Sequence, residues 1–148
     1  MLPSVIDWLD SILQKQWNVL EAGSGGSTVF LAQRVAAVVS YEHDEEWYER
    51  VKAELESRSL HNVTMRLWAE YPKYGLDYAG PFDLALIDGR GRVRSLFCAS
   101  RCIRPGGWLV LDDSQRRWYA PAITFMECIA QQSVVFGDSQ YQATAWKL

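Results

Sequence analysis

The sequence contains no apolar run that approaches the roughly 20 residues a membrane-spanning helix needs. Its first residues lack the basic start and the continuous apolar centre of a signal peptide. Its formal net charge of −3 over 148 residues leaves no excess of positive charge to attract nucleic acid or an anionic membrane. We therefore expect a cytoplasmic protein that does not act at a membrane and that lacks a basic nucleic-acid-binding segment.

Cysteine is also scarce, and the few present suit neither a metal site nor a disulfide framework. Cys98, Cys102 and Cys128 have no metal-ligand spacing, and any pairing leaves one of the three over. Cys98 and Cys102 share one face of a predicted helix, where small buried thiols are common. The sequence also lacks linkers, repeats and low-complexity segments, so we predict a single domain over residues 1–148.

What the sequence does contain is a regular alternation of helix and strand patterns. Helices are predicted at about 4–15, 26–36, 44–59, 92–103 and 121–132. Strands are predicted at about 17–22, 37–41, 62–68, 82–87, 108–111, 133–137 and 141–147. Strands separated by helices indicate right-handed crossovers and parallel pairing, whereas the last two strands form a hairpin and imply an antiparallel strand at the end. The predicted fold class is therefore α/β, doubly wound, with a mostly parallel seven-stranded sheet.

Several residues mark where these elements begin or end. Asp44 is a candidate N-cap for the helix after the second strand, and the apolar stripe of that helix recurs every four residues from Trp47 to Leu55. Pro105, followed by two glycines, is expected to separate the next-to-last helix from the fifth strand. Prolines and glycines interrupt the segment 71–81, so the helix expected between the third and fourth strands is predicted to be short or lost.

The most informative segment runs from Glu21 to Thr28, where an apolar strand leads into an acid, three glycines and a Ser-Thr pair. Glycine lets the backbone adopt positive φ and lets a ligand approach where a Cβ atom would block it. The first turn of the following helix supplies unpaired N–H groups that favour negative or strongly polar ligand atoms. This arrangement predicts a nucleotide-type ligand, whereas an ordinary strand-to-helix turn often uses one glycine.

Acidic residues follow other strands at the same edge of the predicted sheet. Glu42 ends the second strand, Asp88 ends the fourth, and Asp112 and Asp113 end the fifth. In open α/β sheets, ligands bind outside the carboxyl ends of the strands, where the strand order reverses. Glu42 is the natural partner of a ribose, since a carboxylate can accept hydrogen bonds from both hydroxyls of a vicinal diol.

Together these segments resemble the class I S-adenosylmethionine-dependent methyltransferases, a family with a Rossmann-like fold. The resemblance is carried by residues 21–28, by Glu42, by Phe82 to Gly89 and by Arg104 to Asp113. It implies that the glycine loop holds the methionine end of S-adenosylmethionine, that Glu42 binds the ribose and that the segment 68–70 flanks the adenine. The cofactor-binding residues that it implies are Glu21, Gly23, Ser24, Gly25, Gly26, Ser27, Thr28, Glu42, His43, Trp68, Ala69 and Asp88.

Asp88, Asp112 and Asp113 form a second predicted group. If the fourth and fifth strands are neighbours, these carboxylates converge beside the methyl group of the cofactor, and hard oxygen ligands of this kind suit Mg²⁺. The pattern is similar to that of metal-dependent O-methyltransferases, which implies O-methylation with Asp88, Asp112 and Arg90 as catalytic residues. The catechol type pairs its strand-five aspartate with asparagine, where this sequence has Asp113. The alternative is that Asp88 orders its loop and that Asp112 or Asp113 caps the next helix.

The methyl acceptor is left open between a small molecule and an exposed macromolecular group. Arg90 and Arg92, predicted at the mouth of the site, suit a carboxylate or phosphate on the acceptor. No insertion is long enough to cover the acceptor, so its pocket is expected to be shallow, completed by a second subunit of a homodimer, or built for a large substrate. Three rival functions remain: a nicotinamide-dependent oxidoreductase, disfavoured because Thr28 replaces the third glycine of its fingerprint, an aminopropyltransferase, and a catalytically silent binding module.

Overall fold

The computed structural model describes residues 1–68 and 78–148 and contains a central sheet with helices on both faces. The described strands are β1 (Asn18–Ala22), β2 (Ala37–Glu42), β3 (Val63–Leu67), β4 (Phe82–Ile87), β5 (Ile103–Leu111), β6 (Gln132–Gly137) and β7 (Gln142–Lys147). The described helices are α1 (Pro3–Ile12), α2 (Gly26–Ala32), α3 (Glu45–Ser57), α4 (Arg92–Ser100) and α5 (Ala120–Ile129), with a short 3₁₀ helix at Arg117–Tyr119. The predicted interruption at 71–81 lies largely outside the described residues. None of the helices in the described part of the chain has the length and apolar character needed to cross a bilayer.

The order of the strands confirms the predicted fold class. The described strands form one sheet in the order β3-β2-β1-β4-β5-β7-β6. The strands β1 to β5 pair in parallel, and β7 is antiparallel to both of its neighbours. The chain runs outwards from β1 through β2 to β3 at one edge of the sheet. It then runs from β4 through β5 to β6 at the other edge, and β7 returns to lie between β5 and β6. The carboxyl ends of β1 and β4 therefore flank the crevice in which ligands of doubly wound sheets bind.

Alternating side chains of the central strands pack into separate cores on the two faces of the sheet. Leu20 of β1 joins the core that α4 and α5 cover, whereas the adjacent Val19 joins the core that α1 and α2 cover. Every residue of β4 is buried, as expected for a central parallel strand with helices on both faces. The loops that leave β1 and β4 at the carboxyl edge are therefore anchored on a rigid base.

Helix α2 ends earlier than its apolar pattern predicts. The side-chain amide of Asn62 donates hydrogen bonds to the carbonyl oxygens of Ala32 and Val35, each at 2.9 Å. These bonds satisfy carbonyl groups that the end of a helix otherwise leaves unpaired. The end of α2 thus depends on Asn62, which lies after α3 in the sequence, immediately before β3.

Strand β5 was predicted to begin after the Pro-Gly-Gly sequence, but it begins before it, at Ile103. Ile103 already pairs with Phe82, and the register then shifts so that Trp108 pairs with Leu84. The residues 104–107 form the irregularity between these two pairs. Because proline has no N–H to donate, it is tolerated in a strand at such a bulge.

The prediction that Cys98 and Cys102 share one face of a helix is wrong. Helix α4 ends at Ser100, so Cys102 lies beyond the helix that contains Cys98. Both residues are half-buried, and the Sγ atom of Cys102 donates to the carbonyl oxygen of Tyr78 at 3.3 Å. Cys128 is exposed, and all three cysteines are free thiols.

Candidate functional site

A cleft of about 730 Å³ opens at the carboxyl ends of β1, β2 and β4, next to the point where the strand order reverses. The loop after β1 contributes Gly23 and Ser24, the end of β2 contributes Glu42 and His43, and the loop after β4 contributes residues 88–92. The structure thus brings together, around one cavity, residues that the sequence predicted from separate strand ends. A cleft of this size is in the range of small-molecule sites in proteins.

The glycine loop after β1 presents bare main chain to open space. Gly23 has a φ of +99°, and a Cβ atom on it would lie 2.5 Å from the backbone nitrogen of Gly89. The loops after β1 and β4 therefore touch backbone to backbone, which a side chain at Gly23 would prevent. A Cβ atom on Gly26 would meet nothing within 4 Å, and Gly25, Gly26 and Ser27 line a second hollow of about 410 Å³. This part of the loop is accessible to a ligand.

Glu21 holds this loop from within the protein rather than lining the cleft. Its side chain is fully buried, and its carboxylate accepts hydrogen bonds from the hydroxyls of Ser27, Thr28 and Ser40 at 2.5–2.6 Å. Burial raises the pKa of Glu21 to about 7, and the three hydroxyl hydrogen bonds oppose that increase. The direct cofactor contact predicted for Glu21 is therefore corrected, because its carboxylate is fully buried and lines neither the cleft nor the second hollow.

Thr28 acts together with Glu21. Its hydroxyl donates to Glu21 and accepts a hydrogen bond from the backbone N–H of Gly25 at 2.8 Å, and the residue is fully buried. The cofactor contact predicted for the Thr28 side chain is corrected to a hydrogen bond that closes the first turn of α2. The neighbouring Ser27 also donates to Glu21 but remains at the wall of the second hollow.

Glu42 joins the glycine loop to the start of α3 and faces the cleft. The residue is only 4% exposed, and its Oε2 atom accepts a hydrogen bond from the backbone N–H of Ser24 at 3.0 Å. Its Oε1 atom accepts from the N–H groups of His43 and Asp44 at 2.7 and 3.0 Å, and Nδ1 of His43 also lies 2.7 Å from it. Among the described residues Oε2 has a single donor, which leaves a lone pair for a ligand hydroxyl.

Trp47 is a residue of the site that the sequence pattern did not reveal. It is 45% exposed, unlike Val51 and Leu55 of the same predicted stripe, which are buried. Its indole Nε1 donates a 2.8 Å hydrogen bond to the carbonyl oxygen of Ser24, and its ring lines both the cleft and the second hollow. The sequence held one indication that Trp47 belongs to the site, which is its distance of three residues from the predicted N-cap Asp44. Asp44 caps α3 by accepting from the backbone N–H of Trp47, so Trp47 lies in the first turn, at the carboxyl edge of the sheet.

Trp68 packs in an aromatic cluster rather than in the main cleft. Its ring centroid lies 4.3 Å from that of Tyr41 and 5.2 Å from that of Tyr78, and the residue is 9% exposed. It borders a small cavity of about 10 Å³ beside Glu42, which is about the space of one water molecule. This position, outside the main cleft, does not support the adenine contact implied for Trp68, and the adjoining Ala69 lies outside the described residues.

Asp88, Asp112 and Asp113 lie close together as predicted, but Arg92 lies among them. Its Nη2 atom is 2.9 Å from Oδ1 of Asp88, and its Nη1 atom is 3.3 Å from Oδ2 of Asp113. Arg92 also donates to the main-chain carbonyl oxygens of Gly89 and Asp112. Within the described ranges 1–68 and 78–148, no group of three or more His, Cys, Asp or Glu side chains is arranged to hold a metal ion. The predicted magnesium site is therefore corrected, because a guanidinium group compensates the carboxylate charge there.

Asp88 is the carboxylate of this group that lines the cleft. Its side chain is 30% exposed, and burial together with the nearby charge of Asp112 raises its pKa to about 6, while Arg92 opposes that increase. The group is therefore largely ionised at neutral pH and can accept a proton from a molecule in the cleft. Arg90 is exposed at the wall of the cleft and makes no ion pair with any residue in the described part of the chain.

Comparison with known proteins identifies the family. A family model described as a methyltransferase domain matches residues 20–114. The structure is similar to an O-methyltransferase from Bacillus cereus in complex with S-adenosylhomocysteine, with a TM-score of 0.80 and 19% identity over 100% of this chain and 82% of that chain. A methyltransferase-like protein from Silicibacter pomeroyi has a TM-score of 0.74 and 25% identity over 99% and 87% of the two chains. An rRNA methylase from Streptococcus thermophilus has a TM-score of 0.75 and 16% identity over 98% and 95%. A search of curated protein sequences finds no match.

Proposed function

The chain belongs to the methyltransferase domain family, and we propose that it transfers a methyl group from S-adenosylmethionine to a hydroxyl oxygen of its acceptor. The observation that carries this proposal is a cleft at the switch of strand order, with a bare glycine loop on one side and the buried carboxylate of Glu42 on the other. The similar fold of the Bacillus cereus enzyme, which holds S-adenosylhomocysteine, supports the choice of cofactor.

The residues around the cleft fit an adenosyl cofactor. Gly25 and Gly26 leave open space beside the main chain at the start of α2, where N–H groups can meet polar ligand atoms. The remaining lone pair on Oε2 of Glu42 can accept a hydrogen bond from a ribose hydroxyl. The indole of Trp47 donates a hydrogen bond to the carbonyl oxygen of Ser24 in this loop, and its ring forms part of the wall of the cleft.

The chemistry requires that the acceptor hydroxyl loses a proton. S-adenosylmethionine supplies a methyl group on a positively charged sulfur, and its carbon–sulfur bond breaks as the oxygen–carbon bond forms, which leaves a neutral thioether. We propose Asp88 as the proton acceptor, because its partly exposed carboxylate lines the cleft. Arg92 holds that carboxylate in place through the 2.9 Å ion pair, and the nearby negative charge of Asp112 raises the pKa of Asp88 and so makes it a better proton acceptor. No step through a metal ion is proposed.

Arg90 is proposed to steer a negatively charged acceptor towards the cleft. It is exposed at the wall of the cleft, and no acidic residue in the described part of the chain neutralises it. The field of an unpaired guanidinium attracts an approaching anion without forming its final contact. Oxygen is preferred as the atom that receives the methyl group because a carboxylate base is available at the cleft, and the Bacillus cereus O-methyltransferase offers a precedent on this fold.

Isothermal titration calorimetry with S-adenosylhomocysteine tests the cofactor assignment. We expect micromolar-range binding to the wild-type protein and no binding of NAD. Glu42→Ala is expected to weaken S-adenosylhomocysteine binding by about tenfold or more, because the hydrogen bond to the ribose is lost. Glu127→Ala, which removes an exposed carboxylate on α5, serves as the control and should bind normally.

Glu42 also accepts three backbone hydrogen bonds, so Glu42→Gln is measured beside the alanine variant. Circular dichroism and thermal unfolding show whether each variant is folded. A folded Glu42→Ala protein with wild-type affinity would refute the ribose assignment. A wild-type protein that binds NAD and not S-adenosylhomocysteine would refute the proposed function.

A further inference from the structure

A mostly apolar hollow of about 510 Å³ adjoins the cleft on the side of α4. Gly91, Arg92 and Tyr119 line both cavities, so the two meet beside the ion pair of Arg92 with Asp88. The other residues that line the hollow are apolar or basic: Val93, Arg94, Phe97 and Trp118. No acidic residue of the described chain lines it.

Trp118 provides a large apolar surface in this hollow. It is 66% exposed, whereas the adjoining Tyr119 is 7% exposed and meets it edge-on with 5.9 Å between ring centroids. Phe97 forms another part of the wall and packs against Phe125 with 4.8 Å between ring centroids. A flat ligand that covers an exposed aromatic ring at a concave apolar wall removes its own surface and that of the ring from water, which favours binding.

Arg94 adds a positive charge that no described residue neutralises. It is exposed in the first turn of α4 and makes no ion pair within the described part of the chain. Arg92, by contrast, is paired with Asp88 and Asp113, and Arg116 is also paired with Asp113. Arg94 is therefore available to a carboxylate on a ligand that lies against the apolar wall.

We infer that this hollow binds the methyl acceptor, and that the acceptor is a small aromatic ring carrying both a hydroxyl and a carboxylate. The inference rests on the proposed function and names the substrate class of the same site. The ring lies against Trp118 and Phe97, the carboxylate pairs with Arg94, and the hydroxyl reaches across the shared wall towards Asp88. The hollow selects a flat ring and a negative charge together.

Binding of matched small molecules tests both features. Titration calorimetry in saturating S-adenosylhomocysteine compares the hydroxybenzoate isomers with phenol, which lacks the carboxylate, and with hydroxycyclohexanecarboxylate, which lacks the aromatic ring. We expect at least one hydroxybenzoate isomer to bind about tenfold or more tightly than both comparison compounds. Equal affinities for the three kinds of compound would overturn the inference.

Substitutions in the hollow assign each feature to a residue. Trp118→Ala is expected to weaken hydroxybenzoate binding by about tenfold, whereas Trp118→Phe keeps most of it, because a ring remains to stack. Arg94→Gln is expected to remove the preference for hydroxybenzoate over phenol while phenol binds as before. Neither substitution should change the affinity for S-adenosylhomocysteine.

Two matched controls lie away from the hollow. Ile129→Ala shortens an exposed apolar side chain at the end of α5, and Arg66→Gln removes an exposed positive charge on β3. Both proteins should bind hydroxybenzoate like the wild type. Losses in the controls as large as those in Trp118→Ala and Arg94→Gln would show that the hollow has no special role and would overturn the inference.

Failure of this inference can be distinguished from failure of the proposed function. If the wild-type protein does not bind S-adenosylhomocysteine, the proposed function fails first and the inference fails with it. If it binds S-adenosylhomocysteine and methylates an RNA oligonucleotide or a tyrosine peptide but binds no hydroxybenzoate, the acceptor is macromolecular and this inference alone is overturned. Formation of a hydroxybenzoate methyl ether, detected by mass spectrometry, would support both.

Discussion

Glu21 and Glu42 are two buried acids near the same edge of the sheet, and their partners separate their roles. Side-chain hydroxyls surround Glu21, whereas backbone N–H groups hold Glu42 at the wall of the cleft. Glu21 keeps no atom in contact with solvent. Its ionisation therefore affects the stability of the protein, while the carboxylate of Glu42 is available to a ligand.

The pH dependence of stability tests the role of Glu21. Its pKa is raised from 4.5 to about 7 on folding, so the folded protein binds the proton more tightly than the unfolded chain does. The stabilisation from this group is complete below pH 4.5, decreases as the pH rises through about 7 and is lost above it. In Glu21→Gln the amide oxygen can face Thr28 and Ser40 and the amide nitrogen Ser27, which reproduces the protonated acid.

Urea unfolding of both proteins between acidic and mildly alkaline pH measures this effect. The free energy of unfolding of the wild type is expected to fall, relative to that of Glu21→Gln, by up to about 3 kcal/mol as the pH rises through that range, because the amide does not titrate. Groups that titrate alike in both proteins cancel in the difference. Parallel pH profiles for the two proteins would contradict the raised pKa of Glu21.

Substitution of Asp88 tests the proposed base. In Asp88→Asn the side chain keeps its shape and can no longer accept the proton, so kcat is expected to fall by about 10²–10⁴. Asp113→Asn is the matched control, because Asp113 also pairs with Arg92 but does not line the cleft. Its left-handed φ of 55° is tolerated by asparagine. Equal losses of kcat in the two variants, at unchanged affinity for S-adenosylhomocysteine, would assign Asp88 a purely structural role.

At the scale of elements, Gly23 in the loop after β1 and Gly26 at the start of α2 are glycines for different reasons. A methyl group on Gly23 would meet the backbone of Gly89 at 2.5 Å, and the φ of +99° is unfavourable for alanine. Gly23→Ala is expected to lower the free energy of unfolding by about 1–3 kcal/mol. Gly26→Ala meets nothing within 4 Å, so stability should stay within about 0.5 kcal/mol of the wild type.

The two variants are compared by urea unfolding and by calorimetric titration with S-adenosylhomocysteine. Gly26→Ala should weaken ligand binding without loss of stability, because its methyl group enters the hollow that the bare main chain leaves open. If Gly26→Ala bound the ligand like the wild type, the hollow at α2 would not belong to the cofactor site.

Elements could be predicted where their signals are local. Asp44 caps α3 as predicted, because a carboxylate next to the first turn is sufficient to satisfy an unpaired N–H group. The end of α2 and the start of β5 could not be predicted in the same way. The first depends on hydrogen bonds from Asn62, and the second depends on the pairing of Ile103 with Phe82. Those contacts join residues that are distant in the sequence.

In the candidate site, the sequence could predict which residues lie at strand ends but not which atoms they contact. The carboxylates after β4 and β5 converge as predicted, yet the sequence did not indicate that Arg92 neutralises them. The spacing of four residues gave no signal, because Asp88 lies before the start of α4 and the helical i, i+4 relation does not apply to it. Trp47 was missed because an apolar stripe does not distinguish a buried position from the first turn beside a cleft.

For the whole molecule, a ligand in the cleft contacts loops from both halves of the sheet and should stabilise the complete fold. S-adenosylhomocysteine at about one hundred times its Kd is expected to raise the free energy of unfolding by about 2.7 kcal/mol. For a chain of 148 residues this corresponds to an increase in Tm of roughly 5–10 °C. Differential scanning calorimetry measures the increase, and NAD at the same concentration should have no effect. An increase of similar size with NAD would favour the oxidoreductase alternative.

The homodimer suggested by the sequence stays a prediction. Exposed apolar side chains occur on the β6–β7 hairpin, where Val135 is 57% and Tyr141 is 59% exposed. Sedimentation equilibrium measures the subunit number directly.

The backbone contact between Gly23 and Gly89 has a consequence for anyone who redesigns this protein for a new substrate. The two backbones leave no space for a side chain between them. The turn that would hold the methyl donor and the turn that leads to the acceptor therefore cannot be altered independently. A side chain at position 89 would come within 2.9 Å of the Gly23 nitrogen and push the opposite turn out of place. Directed evolution of acceptor choice is therefore expected to retain Gly89 and to collect its changes from residue 93 onwards and around Trp118.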